Sequence, residues 1–261
     1  MKKSVKNILV YMLVYYIPVI IIVKTVPYMS PYFIGKKQCI SDYFLFFFDW
    51  KNSPFISMLE IIIISIIMVY SIIREQASNR VVLYDSMQKL WRACIKNGIV
   101  ITFIVPFINV VAVTLTAFSN GACWRCNWNE IESVAKGMMP YSDFVECSTI
   151  VIIALNYLLD MLRLQATLFI ICFVSWLARS AVIVFLVVYF NVVIANVMKT
   201  IKVLGLTCEG LYIRMGFNQR LIYLNGISVK NDIVIPCVVW LVLLIASYIV
   251  IRFYRKDMLK N

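Results

Sequence analysis

Residues 54–98 read PFISMLEIIIISIIMVYSIIREQASNRVVLYDSMQKLWRACIKNG, and this stretch decides the fold because a long apolar run leads directly into a charged one. Between Phe55 and Ile73, Glu60 is the only charged residue. A helix needs about 20 apolar residues to cross roughly 30 Å of hydrocarbon. Ser53 and Pro54 suit a helix start, since serine caps the first turn and proline there sacrifices no hydrogen bond. The stretch predicts a transmembrane helix followed by a polar connection.

The composition indicates an integral membrane protein. Hydrophobic residues make up 62% of the chain and charged residues 15%, and the mean hydropathy is +0.87. Soluble domains have roughly 45–50% apolar residues and about 25% charged ones. Residues 8–26 are nearly uninterrupted and are followed by Pro27, without a small-residue cleavage site. We therefore expect a retained first span there and not a signal peptide.

Apolar runs of this length predict one all-α, polytopic domain over residues 1–261 with about six transmembrane helices. The fourth and fifth are separated near Arg179 or slightly earlier, because about fifty apolar residues fit two spans. An even number of spans places both termini on the same side. The predicted spans lie near residues 8–26, 55–74, 98–118, 158–178, 180–198 and 233–251.

The distribution of Lys and Arg predicts the orientation. They are concentrated in short segments on the side of the termini, at residues 2–6, 74–96, 179 and 252–260, and are diluted among most of the acids in the longer loops opposite. Since Lys and Arg stay in the cytoplasm in short loops, both termini are predicted to be cytoplasmic. The net charge of +12 then reflects topology and attraction to anionic lipid, and we expect no nucleic-acid partner.

The segment after span two has an amphipathic pattern. Apolar residues recur at spacings of three and four, which predicts a short cytoplasmic helix between spans two and three. One interpretation is an interfacial helix that only connects the spans, and the other is a docking helix for a cytoplasmic partner. The residues of the apolar face are Leu83, Met87, Leu90, Trp91 and Cys94.

The order of residues in this loop also carries a resemblance. It begins with Glu75 and continues through Ser78, Asn79 and Arg80, the apolar run 81–84, Ser86 and Lys96. Together with six spans and cytoplasmic termini, this order resembles the permease subunits of the ABC type-2 exporter family, most closely the small permeases that accompany bacteriocin and lantibiotic gene sets. Ser78 and Asn79 stand where that family has Gly-Thr.

The resemblance implies a transport subunit, not an enzyme, in a bacterial plasma membrane, which exports or clears an amphipathic peptide or lipid-like substrate. Its implied partners are a cytoplasmic ABC ATPase, which binds ATP and magnesium, and a second permease copy or paralogue. This chain has no GxxxxGK[ST] loop and no His, so we expect no cofactor, metal site or catalytic residue in it. The implied docking residues are Glu75, Arg80, Leu83, Met87, Leu90 and Trp91.

A second function class stays open: a non-transport assembly or sensor subunit that recruits a cytoplasmic partner or, less favoured, an embedded enzyme. Intramembrane charges bear on the choice, because each costs roughly 2.5–3.5 kcal/mol at a helix centre. Glu60, Asp160 and Arg163 either line a translocation path or reach water at the outer interface. Asp160 and Arg163 lie one helical turn apart, so they can pair.

The predicted outer loops contain thiols. Cys123 and Cys126 form a CxxC, with Cys147 and Cys39 also outside. A disulfide of Cys123 or Cys126 with Cys147 is one interpretation, since the exterior is oxidising, and reduced thiols are the other.

The topology gives a first testable prediction. In a chain without native cysteines, Gln88→Cys should resist a membrane-impermeant maleimide in intact cells, because residues 75–96 are expected in the cytoplasm. A chain that retains only Cys123 should be labelled from outside. Labelling at position 88 in intact cells contradicts the predicted orientation.

Overall fold

The structure is a computed structural model. It describes residues 16–21, 23–25, 28, 30–47, 54–138, 148–178, 180–197, 202–203, 206–207 and 233–254. The termini, the predicted start of span one at 8–15, and Cys147 lie outside the described residues.

Within these ranges the protein is mostly helical. The strands β1 (Lys202–Val203) and β2 (Leu206–Thr207) form a short antiparallel pair. The helices are α1 (Tyr16–Thr25), α2 (Ile40–Phe47), α3 (Pro54–Glu75), α4 (Ser78–Val81), α5 (Met87–Ser119), α6 (Val134–Met138), α7 (Thr149–Ala178), α8 (Ala181–Val197) and α9 (Ile235–Tyr254).

Among the described residues, three helices are long and apolar enough to cross a membrane. They are Met87–Ser119, Thr149–Ala178 and Ile235–Phe253. Their length and composition indicate a membrane protein. Helix α3 lies at the predicted second span, α8 at the fifth and α1 within the first, while the six-span count and the orientation remain predictions.

Helix α5 differs from the prediction at its beginning. The expected separate amphipathic helix does not form, because residues 87–96 are the first turns of α5. The side chain of Ser86 accepts the backbone N–H of Lys89 at 3.3 Å and caps the helix. No Gly or Pro occurs between Ser86 and Gly98, so nothing interrupts the helix between this cap and the apolar run.

Helix α7 also begins earlier than predicted, at Thr149 and not near 158. Ser148 caps it, since its hydroxyl accepts the N–H of Val151 at 3.3 Å. The polar residues Asn156 and Asp160 therefore lie inside the helix. The helix ends at Ala178 and α8 begins at Ala181, which is where the sequence places the turn between spans four and five.

The chain folds as two compact units. The first contains the described residues up to Glu60 together with those of Val105–Asp160. Its core is aromatic: the ring of Phe33 contacts Tyr43 at 5.3 Å and Phe46 at 5.6 Å, both edge to face. Trp128 is also fully buried in this unit.

The second unit contains Ile61–Ile104 and the described residues of Met161–Asn218 and Ser228–Asn261. Its buried side chains include Met68, Leu90 and Leu168. Gly98 of α5 lies against Leu168 of α7, so closely that a Cβ at position 98 would overlap the Cδ1 methyl of Leu168. Small residues at such contacts let membrane helices approach closely.

This contact gives a prediction about packing. Gly98→Ala should lower the free energy of unfolding by about 1–3 kcal/mol, because the added methyl overpacks the contact with Leu168. In a Leu168→Ala background the same change should cost nothing or stabilise, since alanine favours the helix. Thermal unfolding of the four variants in detergent completes the cycle, and equal effects in both backgrounds would contradict the close contact.

Candidate functional site

Three helices of the first unit bring polar side chains together. Glu60 of α3 and Asp160 of α7 are 2% and 4% exposed, and Asn109 of α5 lies between them at 3%. The Asn109 amide nitrogen donates to Glu60 Oε1 at 2.5 Å and to Asp160 Oδ2 at 3.0 Å. These three residues are called the polar cluster below.

The arrangement has a clear chemical consequence. Two carboxylates that share one donor repel each other when both are ionised, and an apolar surrounding increases that cost. Such a cluster offers several polar atoms to a cationic or hydrogen-bonding group. The Asn109 Oδ1 atom has no hydrogen-bond partner in the part of the chain that the structure describes, so it remains an available acceptor.

Sequence reasoning found Glu60 and Asp160 but missed Asn109. The available signal was an amide within the apolar run 98–118, one turn after Pro106. Arg163, the third predicted path residue, is buried as well and belongs to the second unit. The burial of all these side chains is inconsistent with heads that reach out to water at the outer interface.

The predicted docking segment forms a compact turn between α3 and α5. We call residues 76–86 the elbow. Glu75 is buried at the end of α3, and its carboxylate accepts a hydrogen bond from the Tyr84 hydroxyl at 2.8 Å. The same carboxylate forms ion pairs with Arg74 at 3.4 Å and with Arg80 at 3.6 Å. A single carboxylate therefore holds both ends of the elbow together.

The tip of the elbow is apolar and exposed. Val82 is 65% exposed and Leu83 is 68% exposed. Backbone N–H groups of Leu83 and Tyr84 donate to Arg80 and Val81 at 3.0 Å, so the tip is a hydrogen-bonded turn. Val82 was not among the predicted docking residues.

The other predicted docking residues differ in how deeply they are buried. Leu90 is fully buried, and the indole N–H of Trp91 donates to Ser247 of α9 at 3.1 Å while its ring meets Tyr248 edge to face at 5.3 Å. Both therefore pack within the second unit, whereas Leu83, another predicted docking residue, is exposed at the tip of the elbow. Met87 is half-buried.

The predicted disulfide residues lie in the first unit. Cys123 is exposed and Cys126 half-buried. Cys39, just before α2, is paired with Cys123 in an isolated backbone bridge. The expected partner, Cys147, lies outside the described residues.

The polar cluster gives a prediction about stability. Asn109→Leu should lower the free energy of unfolding by about 1–3 kcal/mol, because two buried carboxylates lose a shared donor. The matched control is Asn120→Leu, which loses one bond to the neutral carbonyl of Val23 at 3.2 Å and should cost about 1 kcal/mol or less. Thermal unfolding in detergent measures both, and equal losses would contradict a special role for the cluster.

No family model, curated protein or solved structure matches the chain.

Proposed function

We propose that this protein is the membrane-spanning permease subunit of an ATP-binding-cassette transporter, driven by a separate ATPase chain, which exports or clears an amphipathic peptide or lipid-like substrate. The observation that carries the proposal is the elbow, with an apolar tip exposed between two long helices. On the predicted orientation this tip faces the cytoplasm, where an ATPase would bind.

The elbow is built to transmit a displacement. Glu75 ends α3, and its hydrogen-bond partner Tyr84 lies three residues before the start of α5. Because hydrogen bonds to a buried carboxylate are stronger than those in water, the turn resists local deformation. A push on Leu83 would therefore move the ends of both helices together, as packed elements do when they switch between discrete arrangements.

The charge around the tip defines the partner surface. Arg80 and Lys89 carry exposed basic side chains near it, and Arg92 and Lys96 are exposed on the first turns of α5. The complementary surface is an apolar pocket with an acidic rim. Anionic lipid headgroups attract the same charges, so the experiment below separates protein from lipid.

The polar cluster supports transport over a purely structural role. Ionisable residues within membrane helices are costly and commonly mark substrate or ion pathways. Glu60 and Asp160 come from different helices and meet at Asn109. In the alternative, an assembly or sensor subunit, the elbow alone would recruit the partner and the cluster would only join helices.

Substitution at the tip tests the proposal. Leu83→Asp should reduce recovery of a co-purified ATPase roughly tenfold or more, because loss of a central apolar anchor costs about 2 kcal/mol. The matched control is Ile131→Asp, which changes another exposed apolar residue, in the loop after α5. The chain is purified in mild detergent, and associated proteins are identified by mass.

Each outcome discriminates. Equal recovery of the ATPase with Leu83→Asp makes the elbow a connector and contradicts the coupling. A partner without ATPase activity that is lost with Leu83→Asp favours the assembly or sensor function. If Leu83→Asp weakens membrane association and no protein partner is recovered with the native chain, the tip binds lipid.

A further inference from the structure

One face of α5 stays exposed along the part of the helix that belongs to the first unit. Its side chains are large and apolar, and they recur at spacings of four and three residues, so they share one side of the helix. They are Phe107, Val111, Leu115 and Phe118, which are between 38% and 63% exposed. We call these four residues the α5 stripe.

The opposite side of the same helix faces the protein. Asn109 and Val113 are buried there, and the carbonyl of Val105 accepts the hydroxyl of Tyr16 of α1 at 3.2 Å. Successive residues of a helix are rotated by about 100°, so Asn109 points away from the side that carries the stripe. The polar cluster and the α5 stripe therefore lie on opposite sides of α5.

The stripe ends in an aromatic pair. The ring of Phe118 is stacked on that of Trp124 in the following loop, with centroids 5.9 Å apart and planes inclined by 8°. Trp124 is also exposed, and its carbonyl accepts the hydroxyl of Thr149 at the start of α7. The pair is thereby held between the ends of two long helices, and it extends the exposed apolar surface beyond the end of α5.

Cationic side chains are found at the same end of the helix. The ammonium group of Lys24 is exposed and donates to the carbonyl and the hydroxyl of Ser119, the last residue of α5, at 3.1 Å and 2.9 Å. Arg125, which follows Trp124, is exposed as well. Trp is enriched where hydrocarbon meets the lipid headgroups, and Lys and Arg attract anionic headgroups. The order of apolar stripe, aromatic pair and cations matches the order of layers from acyl chains to phosphate.

We propose that membrane lipid covers the α5 stripe and that the pair of Phe118 and Trp124 lies in the headgroup layer at this end of the helix. Helix α5 is long and apolar enough to cross a membrane. A second copy of the chain fits this face less well, because membrane helices that pack together approach through small residues, whereas this face is lined by bulky ones. The proposal does not depend on the transport function.

Indole fluorescence measures the depth of the pair. The full-length protein is reconstituted into bilayers of phosphatidylcholine that carries bromine on one acyl chain, either near the headgroup or near the middle of the chain. Bromine quenches an indole that it contacts. Since the chain has six Trp, the signal of Trp124 is the difference between the native chain and Trp124→Phe. We expect the shallow bromine to quench this component roughly twofold more strongly than the deep bromine.

Two variants in the Trp124→Phe background calibrate the depth. Position 107 lies about 18 Å from Ser119 along the helix, close to the middle of a hydrocarbon layer roughly 30 Å thick, so the indole of Phe107→Trp should be quenched more by the deep bromine. Position 131 is 92% exposed in the loop after α5, and the indole of Ile131→Trp should be quenched by neither lipid. Both positions are exposed and accept a larger ring, and circular dichroism checks that the helical content is unchanged.

Three results would overturn the proposal. Absence of quenching at Trp124 with either lipid would place the pair in water, and stronger quenching by the deep bromine would place it in the hydrocarbon. An indole at position 107 that neither bromine reaches would show that protein, such as a second copy of the chain, covers the stripe.

Discussion

The structure depends on one constraint: polar groups buried among apolar helices must find partners within the protein. The amide of Asn109 meets this requirement for Glu60 and Asp160 at once. Because α3, α5 and α7 each contribute one member, their rotations about their own axes are fixed together. Apolar contacts alone are poorly directional and would leave this register open.

The same principle operates at the elbow with a different result. There the buried carboxylate of Glu75 gathers Arg74, Arg80 and Tyr84, and the chain between α3 and α5 is folded tightly enough to present Val82 and Leu83 outward. In the polar cluster, charge is enclosed. In the elbow, only the carboxylate of Glu75 is enclosed, and the turn that it holds presents apolar side chains at the surface.

Much of the helical layout could be predicted from the sequence, because apolar runs and caps are local signals. The break between α7 and α8 falls near Arg179 as expected, and α3 begins at Pro54. The prediction of a separate amphipathic helix was wrong, because periodicity shows which residues share a face of a helix but not where the helix ends. Ser86 caps a helix that continues into the apolar run 98–118, so Leu90 and Trp91 pack against other parts of the protein.

The site was less predictable because it is assembled over long distances in sequence. Glu60 and Asp160 stood out as costly charges, but an isolated Asn is a common residue in membrane helices and gives no indication of its partners. The pairing of Cys39 with Cys123 is equally non-local, and spacing along the chain pointed to the nearer Cys147. Backbone bridges such as that between residues 39 and 123, and the bond from Trp128 to Asp42, bring these segments together.

The chain order of the polar cluster has a consequence for biogenesis. Ribosomes deliver α3 before α5, so on the predicted topology Glu60 enters the insertion machinery before Asn109 has been synthesised. Its cost of roughly 2.5–3.5 kcal/mol must first be carried by the apolar residues of α3, which are abundant between Ile61 and Ile73. Asp160 arrives last and finds Asn109 already in place. The newborn protein thus acquires its internal polar contacts in the order in which its helices leave the ribosome.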